Sequence, residues 1–283
     1  NWVLGPVCDV NNNPANPVIN VRAWGEDAAT AGALAAAFQR GLSRTGVLGC
    51  AKHFPGHGDT NSDSHLDLPV LPHNRERLAK IEFPPFQEVI AAGVDSVMTA
   101  HLLLPEFDQD HPATLSKTVL TNLLRNDLCF DGLVVTDALV MAAITKRYGA
   151  AEAAMLAFEA GADLILMPAD ADAAIKGLCE AFRSGRLPKQ RLEDSRQRRH
   201  QALRRSQRHH TLNPAQNTPI PSESERKLEQ ELVTACLHLQ PGTGINSSQG
   251  INLIRVDGIV PCPVLTGTAP ALRLPEAEGF KSL

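Results

Sequence analysis

The sequence has few aromatic residues, no excess of either charge and no long apolar run. Aromatic side chains make up 4% of its 283 residues, and 27 basic against 31 acidic side chains give a net charge of −4. No stretch reaches the roughly 18 to 20 consecutive apolar residues needed to cross a bilayer. Without that stretch or a positive field, we expect neither a membrane nor a nucleic acid as partner. The remaining composition, 43% hydrophobic and 20% charged, is typical of a globular chain.

The six cysteines show no Cys-x-x-Cys spacing of the kind that binds zinc or forms a redox pair. They lie among apolar neighbours, so we expect small core residues in a reducing compartment rather than a disulfide framework. The chain starts at Asn1, without an initiator Met, in what reads as a strand already under way. We therefore expect a fragment that begins inside a domain.

Apolar runs of strand type alternate with segments of helical periodicity. The strand-like runs are residues 2–7, 47–54, 96–101, 133–139 and 164–168. The helical segments between them are residues 28–43, 75–92, 117–128 and 150–160. This alternation predicts an α/β fold in which crossover helices connect parallel strands.

Ionisable side chains lie at or just after the ends of four of these runs, and their positions favour a barrel over an open sheet. They are Asp9, Lys52 with His53, His101 and Asp137. In a (β/α)8 TIM-type barrel the carboxyl ends of all strands meet at one mouth, where active sites are built. Because only five runs are present and a closed barrel needs eight, we predict a barrel over residues 1–185 that lacks its first strands, with an open fold as the alternative.

The composition changes after the predicted barrel. Residues 186–222 are rich in arginine and contain prolines, which predicts a basic linker. A solvated helix face is the plain interpretation of the arginines, and an anion-binding patch is the alternative. A helix at 223–239 and a strand at 251–256 then predict that residues 223–283 start a smaller C-terminal α/β domain.

Ionisable residues are most concentrated in the segment 51–65, directly after a predicted strand, which is unusual for a mere connection. Within it, Asp63 stands two residues before His65. A carboxylate at that distance can accept a ring N–H, fix the tautomer and raise the basicity of the imidazole. His65 is therefore a candidate general acid/base with Asp63 as its partner. The alternative is that Asp63 caps a turn and His65 is solvated.

A second candidate carboxylate lies at residue 137. A Gly-containing turn at 131–132 opens an apolar strand that ends in Asp137. Because a carboxylate among valines and leucines costs several kcal/mol unless it is used or hydrogen-bonded, we expect a nucleophile or a metal ligand. The alternative is the N-cap of the next helix.

These motifs resemble those of glycoside hydrolase family 3, in its β-N-acetylglucosaminidase branch. The resemblance rests on Lys-His-Phe-Pro-Gly-His-Gly-Asp-Thr at 52–60, on Asp-Ser-His at 63–65, and on segments 5–14, 97–101 and 130–139. It implies a retaining exo-acting β-N-acetylglucosaminidase without a cofactor. Asp137 would be its nucleophile, with His65 as acid/base and Asp63 as partner. Arg22, Lys52 and His53 would bind a terminal N-acetylglucosamine by hydrogen bonds.

The same resemblance implies a small carbohydrate substrate, peptidoglycan fragments among the candidates, and a bacterial cytoplasmic enzyme. It leaves the oligomeric state open. Members of the family also carry an Asp-Gln-Glu-Gly-Gly-Arg-type segment on an early strand, which nothing in this sequence matches. An inactive fragment is therefore one alternative.

Three other functions stay open at this point. A β-glucosidase could use the same site. A phosphorylase could use it as well, because a histidine acid/base carries no negative charge that would repel phosphate. A metal-dependent barrel hydrolase could use His53, His57, Asp59, His65 and Asp137 as ligands. Pro55 and Gly56 oppose that third reading, because they prevent the two histidines from sharing a helix face.

Overall fold

The structure of the chain is a computed structural model that describes residues 1–212 and 223–236. The chain divides into two compact units, residues 1–216 and residues 217–283. The first unit is an α/β fold with a parallel sheet. This confirms the predicted fold class at the level of strands and crossover helices.

The centre of the first unit is a sheet of three parallel strands in the order β1 (Cys50–Phe54), β2 (Ser96–Thr99) and β3 (Leu133–Val135). Further parallel pairing extends it on both sides, through bridges of Trp2 with Leu48 and of Val135 with Leu164. All five predicted runs therefore take part, in chain order. Because parallel strands share their direction, the segments that follow them lie at one edge of the sheet.

The described helices follow the predicted segments with one exception and include two, at 142–145 and 171–183, that were not predicted. The helices are α1 (Ala28–Thr45), α2 (Arg75–Lys80), α3 (Phe83–Ala91), a π-helix (Thr118–Asp127), α4 (Ala142–Thr145), α5 (Ala150–Ala160), α6 (Ala171–Arg183), α7 (Lys189–Leu212) and, in the second unit, α8 (Glu223–Cys236). The single helix expected at 75–92 is wrong. Pro84 and Pro85 lack the N–H that a continuous helix would need, so they fit only the first turn of a separate helix, α3.

Side chains alternate between two apolar layers across the sheet. On the face turned to the helices, Ala51, Val97 and Val134 belong to the main core, together with Phe86 of α3. On the other face, Cys50, Met98 and Val135 form a smaller buried cluster. Because strand residues alternate in direction, the second face continues along the strands toward Lys52 and Asp137.

The arginine-rich stretch that we predicted to be a linker contains α7. Arg191 and Arg198 of this helix form ion pairs with Asp163, and Arg205 pairs with Asp95. Within the described residues the stretch is thus a helix with specific contacts. The predicted domain boundaries at 185 and 222 remain predictions.

Two further expectations meet the structure in part. Cys8 and Cys50 are buried free thiols as expected, whereas Cys129 and Cys179 are exposed. The expectation that the cysteines are core residues is thus wrong for Cys129, in the turn after the π-helix, and for Cys179, on the exposed face of α6. The side chain of Cys236 and the whole of Cys262 lie outside the described residues. The helix predicted at 223–239 is α8, and the predicted strand at 251–256 lies outside the described residues.

Candidate active site

The predicted reactive groups gather where the parallel strands end. Lys52 and Asp137 both act electrostatically on the thiol of Cys50. Cys50 belongs to the smaller buried cluster on the sheet face that is turned away from the helices. Burial raises the pKa of that thiol to about 12, so Cys50 stays neutral. Asp137 also acts on the imidazoles of His57 and His101. These groups therefore share one electrostatic environment at the carboxyl edge of the sheet.

Asp9 is the buried anchor of this edge. Its carboxylate accepts hydrogen bonds from the backbone N–H of His57 at 2.7 Å and from the backbone N–H of His53 at 3.2 Å. It also contacts Nδ1 of His53 at 2.7 Å. Burial alone would raise the pKa of Asp9, but the charges and hydrogen bonds of the two histidines hold it below its usual value. Asp9 thus fixes the shape of the loop that follows β1.

His53 presents one ring nitrogen to the site in a defined state. Because Nδ1 faces the carboxylate of Asp9, it carries the proton and donates. Nε2 lies 3.4 Å from Nη2 of Arg22, and a guanidinium can only donate. Nε2 of His53 is therefore the acceptor of this ring and faces Arg22, so a sugar hydroxyl would donate to it in exchange for that contact.

Lys52 lies between a cation and an anion. Burial, followed by the positive charge of Arg22, lowers its pKa, while Asp137 acts in the opposite direction. The three residues predicted to bind the sugar, Arg22, Lys52 and His53, are therefore brought together by the structure. Their donors and acceptors are the kind of fixed polar groups that orient a monosaccharide.

The pair Asp63 and His65 forms as predicted from its spacing. Oδ1 of Asp63 accepts the backbone N–H of His65 at 2.8 Å and lies 2.6 Å from Nδ1 of its ring. The predicted alternatives are thus combined, since one carboxylate both closes the turn and holds the imidazole. The His65 side chain is 62% exposed. Among the described residues no hydrogen bond engages its Nε2, and His65 and Asp137 both act electrostatically on His101.

Asp137 lies two residues beyond β3 and is half-buried. Its Oδ1 accepts the backbone N–H of Ala138 at 2.8 Å. The next helix, α4, begins only at Ala142 with Met141 as its N-cap, so the alternative role as a helix cap is wrong. Asp137 therefore has an oxygen, Oδ2, that no local cap occupies.

Two polar side chains that support this edge were not predicted as site residues. Nε2 of His101 donates to the carbonyl of Ala138 at 3.0 Å, which fixes the backbone directly after Asp137. Burial lowers the pKa of His101 and keeps this imidazole neutral. Asn16 donates to the carbonyls of His57 and Gly58 at 2.8 and 3.0 Å. The position of His101 at a strand end was the only sequence signal, and Asn16 gave none.

The loop after β1 also depends on a close backbone approach. A Cβ on Gly58 would lie 1.7 Å from the carbonyl oxygen of Val10, a distance at which no side chain fits. Glycine is therefore required where the loops after the first two parallel segments meet. This contact explains one of the glycines in the Pro-Gly-His-Gly motif.

The ligand set of the metal-dependent alternative is not assembled as such among the described residues. Nδ1 of His57 contacts Thr60 and its Nε2 contacts Ser64, so both ring nitrogens are used. A group that could hold an ion does occur at Asp59, His73 and Glu82. The guanidinium of Arg77, however, donates to Glu82 at 2.7 Å and to Asp59 at 3.2 Å. A cation already occupies that cluster.

Two cavities, each of about 210 Å³, lie at the opposite end of the strands. They are lined by residues that precede β2 and β3, among them Gly93, Asp95 and Gly132. None of the predicted site residues lines them.

Within the part of the chain that the structure describes, no helix combines the length and apolarity that a membrane span requires.

Comparison with known proteins places this geometry in a family. The model of the glycosyl hydrolase family 3 N-terminal domain matches residues 1–202. Beta-hexosaminidase A of Pseudoalteromonas piscicida is 34% identical over 279 residues, which cover 90% of this chain and 47% of that protein. A beta-N-acetylglucosaminidase/beta-glucosidase of Cellulomonas fimi is 32% identical over 205 residues, covering 69% of this chain and 36% of that protein.

A solved structure is similar as well. The family 3 beta-N-acetylglucosaminidase of Paenibacillus sp. str. FPU-7 has a TM-score of 0.75 and 44% identity, covering 82% of this chain and 45% of that chain. This chain therefore spans less than half the length of these relatives. Since the family model matches more than two thirds of its residues, the chain belongs to glycosyl hydrolase family 3.

Proposed function

We propose that this chain carries the catalytic site of a retaining, exo-acting β-N-acetylglucosaminidase. The hexosaminidase and N-acetylglucosaminidase names of its relatives support the substrate class. The observation that carries the proposal is the contact of 2.6 Å between Asp63 and Nδ1 of His65, at the same edge of the sheet as Asp137. In this proposal His65 is the general acid/base and Asp137 the nucleophile, two groups of different chemistry.

In the first step, Asp137 attacks the anomeric carbon while Nε2 of His65 gives its proton to the leaving oxygen. This forms a covalent glycosyl-aspartate. Asp63 stabilises the imidazolium and keeps its proton-donating nitrogen directed to the site. Burial works against it, but the hydrogen bonds and charge of His65 hold the pKa of Asp63 below its usual value. Asp63 therefore stays ionised at neutral pH.

In the second step, His65 acts as a base toward water, which attacks the same carbon and releases Asp137. Two inversions leave the sugar with its original configuration. Arg22, Lys52 and His53 hold the terminal N-acetylglucosamine during both steps. The acceptor Nε2 of His53 and the donors of Arg22 and Lys52 match the mixed donor and acceptor character of sugar hydroxyls.

In this proposal the sheet is part of a (β/α)8 TIM-type barrel. Its five parallel segments follow one another in chain order, and ionisable groups occupy their carboxyl ends. Barrel enzymes build their sites from residues at those ends. The substrate is a glycoside ending in N-acetylglucosamine, with peptidoglycan fragments in the cytoplasm as its natural source.

The product of hydrolysis tests this proposal. We expect the chain to release phenol from phenyl β-N-acetylglucosaminide and to give first the β-anomer of N-acetylglucosamine, as followed by NMR. The corresponding β-glucoside should react more slowly, because it lacks the acetamido group. A first-formed α-anomer would refute the double displacement, and faster turnover of the glucoside would favour a β-glucosidase. No release from either would leave the chain an inactive fragment.

Phosphorolysis is the second candidate, because His65 is not an anion when it acts as a base. Two cations also flank its loop, since Lys146 donates to the carbonyl of Leu66 at 2.7 Å and Arg147 lies 3.6 Å from Asp67. We expect water to be the acceptor. Adding inorganic phosphate should then leave the rate and the product unchanged. Appearance of N-acetylglucosamine 1-phosphate would identify a phosphorylase instead.

A further inference from the structure

The middle residue of the Asp-Ser-His turn faces away from the site. Ser64 is 2% exposed, whereas the side chains of Asp63 and His65 on either side are 30% and 62% exposed. The hydrogen bonds between Asp63 and His65 fix the geometry inside this turn. They do not fix where the turn lies relative to the sheet. Ser64 is the member of the turn that reaches the interior.

The hydroxyl of Ser64 contacts an imidazole that the fold holds rigidly. Oγ of Ser64 lies 3.1 Å from Nε2 of His57. The backbone N–H of His57 donates to the buried carboxylate of Asp9, and its Nδ1 lies 2.7 Å from Oγ1 of Thr60. His57 is therefore fixed to both the sheet edge and its own loop.

The protons of this chain of contacts can be assigned consistently. Burial lowers the pKa of His57, so its ring is neutral and offers one donor and one acceptor. Oγ1 of Thr60 accepts Nδ1–H of His57 and donates to the carbonyl of His57 at 3.2 Å. Nε2 is then the acceptor, and the hydroxyl of Ser64 donates to it. A nonpolar residue at 64 would leave a buried ring nitrogen without its donor.

We propose that Ser64 is a positioning residue for the acid/base, acting through the fixed imidazole of His57. The inference rests on the proposed function, since it assigns to Ser64 the placement of His65 over the scissile oxygen. The other contacts of the turn come from backbone groups and an exposed amine. Ala143 N–H approaches the carbonyl of Ser64 at 3.4 Å, and Lys146 binds the carbonyl of Leu66. Among the residues that the structure describes, the serine hydroxyl is the one side-chain group of the turn that is hydrogen-bonded to the interior.

Dependence on the leaving group separates positioning from a general loss of structure. In Ser64→Ala, kcat/KM for phenyl β-N-acetylglucosaminide should fall about 10- to 100-fold, because that leaving group must be protonated and a misplaced acid is inefficient. For the 2,4-dinitrophenyl glycoside, which departs as a stable anion, kcat/KM should change by less than about 3-fold. An equal loss for both substrates, or a loss for neither, would overturn the proposal.

Ser62→Ala is the matched control, since it removes an exposed hydroxyl from the same loop. It should leave both substrates unaffected. Thermal unfolding of the variants confirms that each is folded.

A measurement without substrate keeps this inference separate from the proposed function. With 15N-labelled histidine, the backbone amide of His65 should have an order parameter of about 0.85 in the unmodified chain and in Ser62→Ala. In Ser64→Ala the order parameter should fall below about 0.6. An unchanged order parameter in Ser64→Ala would refute the role of Ser64, whether or not the chain is active. An inactive chain that shows the expected loss of order would refute only the glycosidase assignment.

Discussion

Replacement of Asp137 with alanine is expected to lower kcat/KM for an aryl N-acetylglucosaminide by about 10⁴-fold, which corresponds to about 5.4 kcal/mol of transition-state stabilisation. The change removes the group that would form the covalent bond. The buried support beneath it stays, because His101 still donates to the carbonyl of Ala138. Steady-state kinetics with the 2,4-dinitrophenyl glycoside measures the effect. A loss below about 10-fold would show that Asp137 is not the nucleophile.

Three companion experiments sharpen this result. Asp131→Ala is the matched control, because it removes an exposed carboxylate from the same segment at the opposite end of β3, and it should keep full activity. Azide should restore turnover of the Asp137 variant and give the α-glycosyl azide, since a small anion can occupy the vacated position.

Treatment of the unmodified chain with a chelator should leave its activity unchanged, and a loss would favour a metal-dependent hydrolase.

The candidate site could be predicted because its residues obey local rules. Asp63 and His65 are two residues apart, so their contact follows from chain geometry alone. Lys52 lies in the second half of β1 and Asp137 follows β3, and the shared direction of parallel strands brings these positions to one edge of the sheet. The resemblance of the motifs to a known family added the roles of these groups. Each of these inferences needs only a short stretch of sequence.

The supports of the site could not be predicted because they join distant parts of the chain. Asn16 reaches carbonyls more than 40 residues away, and a lone asparagine in a polar loop carries no sign of that contact. The single helix expected at 75–92 was a different error, because the helical spacing of apolar residues continues across the break between α2 and α3 that Pro84 and Pro85 impose. The contacts of Asn16 are tertiary, and single-sequence patterns do not contain them.

The arginine-rich helix α7 shows the same limit, because a run of charges usually indicates a solvated face. Its partner Asp163 stands just after Gly161 and Ala162, in the turn before the last parallel segment, where it looks like an ordinary loop aspartate. In the structure its side chain is 1% exposed. Oδ2 accepts from Arg125 at 2.6 Å and from the backbone N–H of Val134 at 3.0 Å.

Three guanidinium groups converge on this one carboxylate. Besides Arg125, Arg191 and Arg198 of α7 lie 3.1 and 3.3 Å from Oδ1 of Asp163. Burial lowers the pKa of Arg125 to about 10, although Asp163 acts in the opposite direction. Arg191 also stacks on the ring of Phe158 at 4.4 Å. The carboxylate therefore compensates several partly buried cations and joins α7 to β3 and α5.

Replacement of Asp163 with alanine should consequently destabilise the first unit by about 3 to 5 kcal/mol, because it leaves these cations close together without their anion. The loss is measured as the change in the free energy of unfolding in urea. Asp163→Asn keeps the shape but not the charge and should also destabilise, whereas Asp172→Ala, on the exposed first turn of α6, should cost less than about 1 kcal/mol. Equal stability of Asp163→Ala and Asp172→Ala would mean that α7 is held by its apolar contacts and not by this ion network.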